Sequence, residues 1–99
     1  MRYKGEVYIG GNLVASSVMT ATHPTQVARR MTQEIKKKDN SAIAMIVYIA
    51  NERGELWLNS VKKIDGVYNI KQLPMNIPPL NSNEVEMAFL MNQPLKNFR

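Results

Sequence analysis

The chain has 99 residues, 44% of them hydrophobic and 21% charged, and a formal charge of +5. That length and balance fit one small globular domain over residues 1–99 and leave too little chain for two independent cores. It contains no cysteine, which excludes disulfides, thiolate metal sites and cysteine nucleophiles together.

The first residues, MRYKGEVYIGG, hold no signal-peptide core, and the longest apolar run, Ala42 to Ala50, is far short of a membrane span. The expectation is a soluble, cytoplasmic protein with no membrane contact. RYKGEVYI alternates, with Tyr3, Val7 and Ile9 on one side and Arg2, Lys4, Glu6 and Tyr8 on the other, the pattern of a half-buried strand. Gly10 and Gly11 suit a tight hairpin. It returns a strand over Leu13 to Thr20 in which Val14 is expected opposite Val7 and Val18 opposite Tyr3, all on the buried face.

Thr22 or His23 is placed to cap a helix over 24–37 that carries Pro24 in its first turn, Val27, Ala28, Met31 and Ile35 as its apolar stripe, and Asp39-Asn40-Ser41 as its end. SAIAMIVYIA reads as a central strand bounded by turn residues. A turn from Asn51 to Glu55 leads to the strand LWLNSVKKI, and Asp65-Gly66 is a hairpin signal that returns VYNIKQL as a fifth strand. Pro74, Pro78 and Pro79 force an extended arm over 73–81. A last helix over 82–92 starts near Asn81 or Ser82 with Glu84 in its first turn. Val7, Val27, Met31, Ile35 and Ile46 are expected in one core.

The order strand-strand-helix-strand-strand-strand-helix predicts an α+β domain, a mainly antiparallel sheet with one face packed on the long helix. This layout resembles that of ubiquitin-like β-grasp domains; the likeness lies in the order of elements and implies no function.

Catalysis needs titratable groups brought together, and the chain offers one histidine and eight acids, most of them in turns or at helix ends. No HExxH helix, P-loop, G-x-S-x-G elbow or metal-ligand set is present in the sequence. Gly10-Gly11 precedes a strand, so it cradles no phosphate. His23 reads as a cap or loop residue, and Glu52 and Glu55 flank a solvated glycine turn. The expectation is a chain that is not an enzyme and that uses no metal and no cofactor.

Charge carries the remaining signal, because four of the five net charges lie in the first forty residues. On a helical wheel Arg29, Arg30, Gln33, Lys36 and Lys37 form one outward arc without a carboxylate, with Glu34 at its flank. Cations in a last helical turn favour the macrodipole by ~0.3–1 kcal/mol each, so a solvated face explains the lysines. The arginines in the middle are candidates for contact with phosphates or with an acidic protein.

Lys62, Lys63 and Tyr68 form a second cationic and aromatic set on the later hairpin, although Trp57, Val61, Tyr68 and Ile70 equally suit its core face. The last helix is apolar nearly all round, with Val85, Ala88 and Phe89 on one side and Met87, Leu90 and Met91 on the other. The second group is the expected interface of a homodimer, the alternative cover being Leu95 and Phe98 folded back. The reading is a small non-catalytic binding or regulatory protein that docks on another protein, of the kind found among accessory proteins of bacteria, phages and mobile elements. The alternative is a DNA- or RNA-binding protein using the basic helix 24–38.

Overall fold

The computed structural model describes residues 1–74 and 76–98; Met75, inside the expected arm, and Arg99 lie outside the described residues. The elements are β1 (Arg2–Ile9), β2 (Asn12–Thr20), α1 (Pro24–Lys38), β3 (Ala44–Asn51), β4 (Leu56–Ile64), β5 (Val67–Leu73) and α2 (Ser82–Phe89), followed by a 3₁₀ turn over Leu95–Asn97. The five strands form one sheet in the order β2-β1-β3-β4-β5, with every neighbouring pair antiparallel.

Pro24 opens α1 behind an extended His23, whose side chain makes no cap bond. Instead Gln26 reaches back, its Oε1 accepting from Thr22 N at 2.9 Å and from Thr22 Oγ1 at 3.1 Å. The apolar stripe of α1 lies on β1, β3 and β4, where Val27, Ala28, Met31 and Ile35 share a core with Tyr3, Val7, Met45, Val47, Ile49 and Val61. Gly5 allows the close approach: a Cβ there would lie 2.9 Å from Val27 Cγ1 and 3.0 Å from Met31 Cγ. Trp57, Tyr68 and Ile70 pack on the edge of the same core.

Two pairings differ from the sequence reading. Ile46 pairs with Tyr8 and Ser60 and faces away from α1, while its neighbours Met45 and Val47 face the helix. The two-residue turn at Gly10-Gly11 is as expected, with Ile9 opposite Asn12, but a bulge between Val7 and Tyr8 shifts the register by one. Val7 therefore faces Ala15 and Tyr3 faces Met19. Because side chains alternate with period 2, that slip turns Ala15 and Met19 toward the core and leaves Val14 and Val18 exposed.

The opposite face of the sheet is also covered, which the sequence reading did not foresee. The chain leaves β5, bonds Leu80 N to Gly54 O at 2.8 Å, and enters α2 through a capping box between Asn81 and Glu84. The positive φ of Gly54, +86°, and its contact with the Leu80 carbonyl exclude any side chain at that position. α2 then ends at Phe89, short of the expected 92, and Asn92 takes a φ of +54°. Ala88 and Leu95 bury themselves with Ala50 and Leu80, flanked by Tyr48, Leu56, Val85, Phe89 and Phe98.

Under this cover Lys4 and Glu6, the residues expected to face solvent, are both 0% exposed and form an ion pair at 2.9 Å between Nζ and Oε2. Lys4 Nζ also donates to Gln93 O at 2.8 Å, while Glu6 Oε1 accepts from Leu95 N at 2.8 Å and from Tyr8 OH at 3.1 Å. A buried charge left without its partner costs ~3–5 kcal/mol, whereas removing both charges is often nearly neutral. Lys4→Met and Glu6→Gln should each lose stability on that scale in urea melts. The double variant, which retains an acceptor for Leu95 N, should recover much of the loss; losses that simply add would mean that the two side chains act independently.

Candidate functional site

α1 and the β4–β5 turn enclose a cleft of about 230 Å³ lined by Arg29, Thr32, Gln33, Lys36, Gly66, Val67 and Tyr68. Arg29, Gln33 and Lys36 stand one turn apart on the outward face of the helix, so their spacing along α1 brings them to one rim. Thr32 forms the inner wall, its hydroxyl donating to Ala28 O at 2.7 Å. Tyr68 forms the far wall from β5, held by a bond from its hydroxyl to Ala42 O at 2.7 Å. Four of the residues singled out in the sequence, Arg29, Gln33, Lys36 and Tyr68, thus meet in one place.

The other four do not. Arg30 turns to the sheet and donates to Thr20 O at 2.8 Å. Lys37 lies 3.8 Å from Glu34 in an exposed pair, an arrangement that contributes little. Lys63 caps the end of α1's exit loop, with its Nζ 2.7 Å from Asn40 O and 5.5 Å from the centre of the Tyr68 ring. Lys62 alternates with Lys63 along β4 and so projects from the opposite face of the sheet, beside Ala44. Thr32, Gly66 and Val67 were missed; the Asp65-Gly66 signal located the turn, but only packing shows that its tip lies against the helix.

Tyr68, the aromatic member of the second cationic set, and Trp57 are partly buried against the core, as the core-face alternative expects, and Trp57 leans on Tyr3 at 6.0 Å between ring centres. Neither ring is a free platform for a base.

Of the expected interface residues, Met87 is half-buried and its sulfur accepts from Asn83 Nδ2 at 3.7 Å. Leu90 and Met91 are 75% and 76% exposed. They reach the sheet edge through Asn92, whose Oδ1 accepts from Ser16 Oγ of β2 at 3.2 Å. Among the described residues β2 has β1 as its one sheet neighbour, and its sequence, NLVASSVMT, holds neither charge nor proline. Leu13, Val14 and Val18 are exposed along it.

Among the described residues no group of three or more His, Cys, Asp or Glu is placed to hold a metal ion, and no helix is long and apolar enough to cross a membrane. Comparison with protein-family models, with curated proteins and with solved structures finds no match to this chain. The likeness to β-grasp domains therefore stays one of element order.

Burial, then the neighbouring Glu6 carboxylate to which the phenol donates, push Tyr8 up to about 12 from its ordinary 10.0, against a small opposing effect of the Lys96 backbone N–H. The neutral phenol is thus favoured by folding, so the native state holds the proton longer than the unfolded chain does. Stability from this source is complete below pH 10 and is lost as pH rises toward 12. In an ultraviolet titration, subtracting a Tyr8→Phe variant should isolate a phenol that titrates above the ordinary 10.0.

Proposed function

We propose that this chain is a non-catalytic binding protein that docks on an acidic protein surface through the outer face of α1 and the cleft beneath it, and that it does so as a homodimer. The observation that carries the first part is the cleft itself, where Arg29 and Lys36 stand beside Gln33 with no carboxylate among the lining residues. A cationic rim around a shallow, partly apolar hollow suits carboxylate side chains carried on a folded partner. Nucleic acid is the less favoured ligand, since Arg30 and Lys63 are engaged with backbone carbonyls and Lys62 faces the other way. What remains on one surface is too small a cationic footprint for tight phosphate binding.

The second part rests on β2. An edge strand without charge or proline offers unpaired backbone groups to another strand, and an antiparallel β2 to β2 contact about a two-fold axis satisfies both copies alike. An edge of nine residues is about 30 Å long. A stable interface needs ~800 Å² per partner, more than a strand edge alone provides, and Leu90 and Met91 add apolar area beside it. The bulge near Gly10 confines regular pairing to the Ala15–Thr20 end.

Fluorescence titrations with polyglutamate and with a mixed-sequence DNA duplex test the docking face. Binding of polyglutamate should fall at least tenfold in the Arg29→Glu/Lys36→Glu variant and persist when Lys62 and Lys71, on the opposite face, are reversed. Equal losses from both reversals would reduce the effect to net charge. Tighter DNA binding with a log–log salt slope of about −3 would hand the face to nucleic acid. Sedimentation velocity at micromolar concentration tests assembly: the wild type should be a dimer, and Val18→Lys or Leu90→Gln/Met91→Gln a folded monomer. A monomeric wild type overturns the dimer.

A further inference from the structure

The side of the sheet away from α1 is only partly filled by the C-terminal segment. Leu95 plugs the part beside Glu6, and the next part along the same face is a hollow of about 290 Å³. Its floor is a row across three strands, since Tyr8, Ile46 and Ser60 are direct partners on β1, β3 and β4. Ala44, in the next row of β3, has a side chain too small to fill the space above it, and the Gly10-Gly11 turn leaves the adjoining wall bare. Tyr48 meets Tyr8 edge to face at 5.3 Å and closes the inner end.

Two cations border this apolar floor from opposite sides. Lys62 is the cross-strand partner of Ala44, and Lys96 hangs from the 3₁₀ turn with its Nζ 5.3 Å from the Tyr8 ring centre. Among the described residues neither is in a salt bridge, and no carboxylate lines the hollow. Ser60 also lines the hollow and brings a hydroxyl group to it.

We propose that this hollow binds a small aryl carboxylate, with the ring against Ile46 and the Tyr8–Tyr48 pair and the carboxylate held between Lys62 and Lys96. The volume fits the size class: about 290 Å³ is near the lower end of small-molecule sites and suits a single ring with a short acid chain. The composition decides the chemistry, because an apolar, aromatic floor with a few convergent polar groups binds through its floor and orients through its rim. An edge-to-face tyrosine pair offers a third ring the geometry that aromatic groups prefer. The site is separate from the basic cleft of α1, which lies on the other face of the sheet.

Titration of the ¹⁵N-labelled full chain with 3-phenylpropionate, followed by amide chemical shifts, tests the site. Saturable shifts should be confined to the strands around Ala44 and Ile46, the Gly10-Gly11 turn and Lys96, with a Kd at or below about 1 mM. The neutral 3-phenylpropionamide should bind at least tenfold more weakly, and Lys62→Gln/Lys96→Gln should lose the difference between acid and amide while its amide spectrum stays that of the folded chain. Ala44→Phe, which fills the hollow, should abolish binding; should that variant not fold, the lysine variant still decides. Absence of saturation, equal binding of acid and amide, or shifts centred on Arg29 and Lys36 would each overturn the proposal.

Discussion

Lys4 and Glu6 sit two residues apart on β1 and place a full ion pair under protein rather than under water. Taking both charges out of solvent costs several kcal/mol per ion, and only close geometry with every remaining polar position answered offsets that cost. Here the answers come from the other end of the chain: Gln93 O and Leu95 N, each 89 residues away, bond to Lys4 and Glu6. Among the described residues Glu6 Oε2 is left to the ammonium of Lys4, with no further hydrogen bond. The pair therefore ties the C-terminal segment to one register on the sheet, because a shift of that segment by a residue would take Gln93 O and Leu95 N away from two buried charges.

That tie explains how a chain of 99 residues can cover both sides of a five-stranded sheet. α1 covers one side with a continuous apolar stripe, which is the inexpensive way to bury area at ~25 cal/mol per Å². The other side is covered by a short helix, one 3₁₀ turn and the extended chain between them, which are poorer in apolar area and lean on polar contacts instead. Arg2 over the Phe89 ring at 5.6 Å and Lys96 over Tyr8 at 5.3 Å belong to the same economy, in which long basic side chains serve as covering material. The hollow at Ala44 is where this cover stops.

The same folding divides the basic residues by task. Arg30, Lys63 and Lys4 donate to backbone carbonyls within the domain. Arg29 and Lys36 stay on the rim of a cleft, and Lys62 and Lys96 border another on the far side. Two small groups of cations thus border hollows on opposite faces of the sheet, while Arg30, Lys63 and Lys4 act within the domain.

Local sequence determined the elements themselves: the period of β1, the Gly10-Gly11 and Asp65-Gly66 turns, the Pro24 start and Val27–Ile35 stripe of α1, and the Asn81–Glu84 start of α2. These depend on contacts within a few residues, which composition and spacing express directly. Of the two groups read on the last helix, Ala88 and Phe89 pack on the sheet and Leu90 and Met91 are exposed beyond its end, but Met87, grouped with the latter, is half-buried. Tertiary structure alone decided what each side meets. Alternation in β1 marks two faces, but a lysine and a glutamate read as solvent-facing until a segment 89 residues away supplies their partners. The bulge opposite Val14 exchanges the faces of β2 by one residue, and no local feature distinguishes Val14 from Ala15 as the inward residue. Which basic residues remain available follows from where α1 lands on the sheet, since the carbonyls that capture Arg30 and Lys63 belong to other segments of the chain.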